Sequence, residues 1–190
     1  MKFPLRKCAG VPINFHPGAF GFKRRVNYHP GVDLYTERDE EVFAIEDGTV
    51  VGLEIFTGPL VQTPFWNTTF YLMVEGKSGV FNYGEISHST FLIGDKITEG
   101  EHIGYVDQVL FDHKFRGDIP HHSCCMLHLE LYKHGTSQPV EWATFKKPSQ
   151  LLDPTPYLLQ SYIDNKIQPV DILNDFNKFQ WDNSHLESVG

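Results

Sequence analysis

The sequence has little of what would mark a disulfide-stapled, membrane-spanning or polyanion-binding protein. Its three cysteines, Cys8 and the adjacent Cys124 and Cys125, are an odd number. Neighbours in a strand point to opposite faces, so no disulfide framework is implied and reduced, buried thiols are expected. No stretch approaches the run of about eighteen apolar residues that a membrane span needs. The opening "MKFPLRKCAGVPINF" lacks the apolar run of about seven residues that a secretory signal carries. The chain therefore reads as cytoplasmic as written, and as extracytoplasmic if a signal segment has been trimmed from it. Positive charge is scarce: 16 Lys and Arg stand against 24 Asp and Glu, a net charge of -8, and the one basic cluster is "KRR" at Lys23 to Arg25. That balance argues against nucleic acid or membrane insertion as partners. Repeats and low-complexity segments are also lacking, and 41% hydrophobic content suits one globular core with an appended tail.

What is present is β-pattern. "EVFAIEDGTVVGLEIF" holds two β-branched, partly alternating runs around Asp47-Gly48, and predicts a hairpin there. "TTFYLMVEG", "GVFNYGEIS", "EHIGYVDQVL" and "CMLHLELY" are each short, aromatic or β-branched, and bounded by turn residues. The turn-rich "FTGPLVQTPFWN" between Phe56 and Asn67 reads as an excursion from the sheet. After Pro154 and Pro156 the spacing becomes helical, in "YLLQSYIDNKI" and "DILNDFNKFQWDN", which predicts two short helices. The fold expected is a mostly antiparallel β domain with short C-terminal helices.

The chemistry concentrates in "VNYHPGVDLY", where His29 and Asp33 flank a Pro-Gly turn. An imidazole and a carboxylate brought together this way form half of a metal site, or a plain hydrogen-bonded turn. A third ligand has to come from another strand. The best candidate is His128, because alternation in "MLHLELY" places Met126, His128 and Glu130 on one face and Leu127, Leu129 and Leu131 on the other. Other histidines and tyrosines are candidates for proton transfer or oxyanion stabilisation: His88, His121, His122, Tyr28 and Tyr83.

These segments resemble, in order over roughly residues 20 to 159, the lysostaphin/LytM-type zinc metallopeptidases (duplicated hybrid motif), a family that cuts cell-wall peptide bridges. "FGFKRRVNYHPGVDLYTERDEEVFAIEDGTVV" is similar to the family's opening "HxGxD" region, "YGEIS" with "IGDKITEGEHIGYV" to its tyrosine strand and turn signature, and "LHLELY" and "LDPTPYL" to its last motif and closing segment. The resemblance implies a β-sandwich-like, barrel-sandwich hybrid domain over 1-160 with a groove holding the metal, and a helical extension over 161-190. It implies His29, Asp33 and His128 as zinc ligands. It also shows two departures, because the family's two catalytic histidines fall on Met126 and Glu85.

A methionine can neither position nor deprotonate a water, whereas a glutamate can act as a base. Glu85 is accordingly expected as catalytic base, as a fourth ligand, or as a structural hydrogen-bonding group, with His122 as the accompanying catalytic candidate from the loop before the metal strand. The expected function is zinc-dependent hydrolysis of peptide bonds in peptidoglycan-type or other small peptides. The alternative is a catalytically silent zinc-containing module that binds a peptide or protein through the same groove. A lipoyl-like carrier shares the turn signature, but no lysine is presented in a Met-Lys hairpin.

Overall fold

The computed structural model describes residues 1–61, 63–64, 66–110 and 125–170. Eleven strands and one α-helix lie among them. The strands are β1 (Lys7–Cys8), β2 (Val32–Tyr35), β3 (Glu41–Phe43), β4 (Gly48–Thr57), β5 (Thr69–Gly76), β6 (Val80–Ile86), β7 (Lys96–Ile97), β8 (His102–Tyr105), β9 (Met126–Tyr132), β10 (Leu151–Leu152) and β11 (Gln168–Pro169). The helix α1 spans Thr155–Asp164, with Pro156 in its first turn, where a missing N–H costs nothing. The second helix expected from the sequence lies outside the described residues.

The main sheet is antiparallel, in the order β9-β6-β5-β4-β7, with β2 and β10 pairing successive stretches of the remaining edge of β9. Alternation along the central strands separates two apolar faces. Leu72 and Val74 of β5, Phe81 and Tyr83 of β6, and Leu127, Leu129 and Leu131 of β9 fill the larger core together with Phe3, Leu5 and Leu158. Tyr71, Met73, Val80 and Tyr132 pack on the other face against Trp142 and Leu151.

One expectation fails. The runs flanking Asp47-Gly48 do not form a hairpin: β3 pairs with β8, while β4 pairs with β5 and β7. The chain turns there from one sheet to another, and Glu46, beside the corner, accepts from the backbone N–H and hydroxyl of Ser78. Gly48 does not adopt the positive φ that a type I′ turn would require; it is glycine because a Cβ would meet the Glu75 carbonyl at 2.7 Å.

Register places the functional groups. Asp33 of β2 sits directly opposite His128 of β9, and on the other side of β9 Asn82 sits opposite Glu130 and Gly84 opposite His128. Between β5 and β6 the pairing passes from Leu72↔Tyr83 to Phe70↔Ile86, so β6 carries one extra residue. This bulge contains Glu85 in the left-handed region, at φ 62°. Strict alternation would have sent its carboxyl to the core side with Phe81 and Tyr83; the bulge breaks that alternation just before Ile86 re-enters the core.

Candidate metal centre

His29 closes a narrow ribbon formed by the chain reversing at Arg24 to Asn27. The Arg24 N–H donates to the Asn27 carbonyl, and His29 and the Gly21–Phe22 pair exchange backbone hydrogen bonds. The chain then turns through Pro30 and Gly31 into β2. Gly31 lies so close to β9 that a Cβ would stand 2.5 Å from the Leu129 carbonyl oxygen and 3.0 Å from His128 Cε1. Only glycine lets the His-Asp turn lie flat on the strand that supplies the third group.

The result is a triangle of three buried atoms. His29 Nε2 is 3.0 Å from Asp33 Oδ1, His128 Nδ1 is 2.8 Å from the same oxygen, and the two imidazole nitrogens are 3.2 Å apart. The structure thus brings together the three ligand residues expected from the sequence, as a group able to hold a metal.

Groups behind the triangle set the tautomers. His29 Nδ1 donates to the Ala19 carbonyl at 3.0 Å, which leaves the Nε2 lone pair facing the triangle. His128 Nε2 faces Glu130 Oε1 at 3.2 Å, and Glu130 also accepts from Asn82 Nδ2 and from the Tyr132 hydroxyl. Burial opposes ionisation of Glu130, but these donors hold its pKa below the usual carboxylate value. A carboxylate there accepts, so His128 Nε2 carries the proton and Nδ1 turns inward. Asp33 is likewise disfavoured as an anion by burial, yet the neighbouring imidazoles hold it well below the ordinary range. Its second oxygen accepts from Arg24 Nη2 at 3.2 Å.

Burial lowers the His29 pKa, whereas His128 is raised to about 10 because its bonds to Asp33 and Glu130 outweigh the cost of burial. Three lone-pair-bearing atoms therefore share a single proton, an arrangement completed by a cation. The Phe56 ring lies against His128, with centroids 5.4 Å apart. Gly84 makes room for it, since a Cβ there would be 2.7 Å from that ring.

Glu85 is buried beside this group, and Asp33, His128 and Arg24 all bear on its ionisation. Burial first and the Asp33 charge second push its carboxyl up to about 8. Its Oε2 has no hydrogen-bond partner among the described residues. Glu85 is not one of the converging ligand residues. Of the other candidates, His88 is exposed and packs edge-on against Phe70. Tyr83 is in the core, its hydroxyl accepting from the Ile45 N–H, and Tyr28 stacks on Trp142. His121 and His122 lie outside the described residues, as does Cys124; Cys8 is a buried free thiol, and Cys125 is buried too. Sequence reading missed Ala19, Arg24, Asn82 and Tyr132. Only Glu130 had left a signal, on the polar face of β9.

Solved structures share this architecture. LytU matches with a TM-score of 0.50 at 18% identity, over 80% of this chain and 86% of its own. CbpA from L. salivarius REN matches with a TM-score of 0.50 at 18% identity, over 81% of this chain and 91% of its own. The chain has the lysostaphin/LytM-type fold. A zinc-containing peptidase from Vibrio cholerae is also similar, with a TM-score of 0.46 and 20% identity over 77% of this chain, which spans 40% of that protein's length. The sequence matches no family model and no curated protein. At these identities the likeness fixes the fold and leaves the chemistry to the residues at the site. Among the described residues, no helix is long and apolar enough to cross a membrane.

Proposed function

We propose that this protein is a zinc-dependent peptide hydrolase acting on peptidoglycan-type or other small peptides, with His29, Asp33 and His128 as the ligands. The observation that carries this is the triangle of three converging, buried ligand atoms. Once a cation displaces the proton they share, two neutral imidazoles and a carboxylate form a three-residue donor set of the kind that catalytic zinc uses, leaving a position for water or substrate. The separations of 2.8 to 3.2 Å are close to the edge of about 3.3 Å that tetrahedral bonds of about 2.0 Å require. Zinc held there supplies Lewis-acid polarisation of a carbonyl and makes a water easier to deprotonate at neutral pH.

The chain's own residues do the rest. Glu130 and Ala19 fix the two imidazoles, and Phe56 helps to exclude solvent beside His128. Glu85, with one free carboxyl oxygen and a pKa pushed up to about 8, is the proposed base: it takes a proton from the attacking water and passes it to the leaving amine.

Met126 favours a second reading. It pairs with Tyr35, two residues beyond Asp33, and occupies the position where the resemblance places a catalytic histidine, and a thioether does no proton chemistry. A silent module on the same scaffold would keep zinc without turnover. Glu85→Gln separates the roles: as a base variant it keeps the metal and loses at least 100-fold in kcat, a loss of the order that general-base removal gives. Loss of metal in Glu85→Gln identifies Glu85 as a ligand instead, and an unchanged rate removes it from catalysis.

A further inference from the structure

The chain leaves β9 at Lys133 and does not enter β10 until Leu151, and residues 133–150 between them form no helix or strand. So long a connection without structure of its own is uncommon in a compact domain. Its middle is nevertheless pinned at two points. The Val140 N–H donates to the Tyr132 hydroxyl at 2.9 Å. Two residues later, the Trp142 carbonyl accepts from the Tyr28 N–H at 2.8 Å. Tyr132 is fully buried and Trp142 nearly so, in the core on the second face of the sheet.

Each attachment leads to a different imidazole of the ligand triangle. A phenol has one proton to give, and the Tyr132 hydroxyl, while accepting from Val140, gives it to Glu130 Oε2 at 2.9 Å. Asn82 Nδ2 donates to the same oxygen at 2.5 Å. With Oε2 held by two donors, Oε1 faces His128 Nε2 at 3.2 Å. At the other attachment, Trp142 stacks on Tyr28 with ring centroids 5.2 Å apart and packs against Phe20 at 5.5 Å. Tyr28 precedes His29, and Phe20 follows Ala19, whose carbonyl accepts from His29 Nδ1 at 3.0 Å. Trp142 thus seats both the main chain leading into His29 and the segment that orients its ring. Two peptide units, at most about 7 Å of chain, separate the two attachments.

We propose that residues 140–142 are a strap that sets the spacing of His29 and His128 from outside the metal site, with Tyr132 and Trp142 as its positioning residues. The proposal rests on the metallopeptidase reading and adds what holds the ligand set ready for the metal. Neither residue is among the converging ligands; their effect passes through Glu130 on one side and through Tyr28 and Phe20 on the other. A ligand set held in place binds more tightly, because less ordering remains to be done on binding. Because one short segment serves both imidazoles, releasing either attachment also loosens the other, so the two contributions are coupled.

The test uses the full chain. Zinc affinity is measured by competition with a chromophoric chelator, metal-free stability by urea unfolding, and ligand geometry by the visible absorption of the cobalt(II)-loaded protein. Tyr132→Phe is expected to lose roughly 10- to 100-fold in zinc affinity, the usual effect of removing an outer partner of a metal-bound histidine, and to shift the cobalt spectrum. Trp142→Phe is expected to lower affinity in the same direction. The double variant is expected to lose much less than the product of the two single losses, because the first change has already freed the strap. Met73→Leu alters the same core without touching any of these bonds, and is expected to leave zinc affinity unchanged whatever it does to metal-free stability. Parental zinc affinity in Tyr132→Phe overturns the strap and leaves the hydrolase reading in place. Single losses that multiply in the double variant, or an equal loss of affinity in Met73→Leu, do the same. If Tyr132→Phe does not fold, Trp142→Phe decides alone, and parental affinity there overturns the proposal. A parent protein that takes up no zinc overturns both readings.

Discussion

Glu85 concentrates the unusual features of this molecule in one residue. A non-glycine residue at φ 62° costs on the order of 1 kcal/mol. Its carboxyl is buried with one oxygen unpaired, a second cost that a merely structural residue would shed. The pKa gives this a measurable consequence. Unfolded, Glu85 ionises near 4.5; folded, near 8. Between those values the folded protein keeps a proton that the unfolded chain has released, so this group's contribution to stability falls as pH rises from about 4.5 to about 8 and is level outside that window. Chelator-treated Glu85→Gln should therefore match the parent near pH 4 and exceed it at pH 9, by up to a few kcal/mol. Urea unfolding at the two pH values checks this, and a constant difference would place the cost of Glu85 elsewhere.

At the scale of elements, the site is a product of register. β9 was legible because "MLHLELY" alternates strictly, and both the leucine core face and the His128-Glu130 face follow from it. The turn from His29 to Asp33 was legible as half of a metal site, and the glycine between them now has its reason in the Leu129 carbonyl. Gly31→Ala forces apart the turn and β9, so it should cost roughly 1–3 kcal/mol and weaken metal binding, while Gly10→Ala, with open space at its Cβ position, should leave metal binding intact. Thermal melts with and without zinc distinguish the two. Other elements were not legible. Asp47-Gly48 has the composition of a hairpin turn, but strand pairing is decided by partners far along the chain, and β3 finds β8. The β6 bulge has no local signature, since nothing in "NYGEIS" announces a glutamate at positive φ. Arg24 looked like part of a surface charge cluster, because its bond to Asp33 depends on the ribbon folding back on itself.

For the whole molecule, metal and fold should be one thermodynamic system. The triangle joins the Gly21–His29 ribbon, β2 and β9, so a cation that binds only the folded chain ties an early segment to the centre of the main sheet. Free zinc at 100 times its dissociation constant should add about 2.7 kcal/mol and raise Tm by roughly 5–10 °C for a protein of this size. The same addition to Asp33→Ala should do little. Equal shifts in both proteins would mean that zinc acts at some other place.

The central claim is that His29, Asp33 and His128 hold one zinc in a working site. It is tested most directly by elemental analysis of the purified protein beside His128→Ala, with the same samples incubated with muropeptides and followed by mass spectrometry for new amines. The account predicts about one zinc per chain in the parent, lost in His128→Ala, with cleavage by the parent alone. Zinc retained in full by His128→Ala, or a parent protein that takes up no zinc, would contradict it.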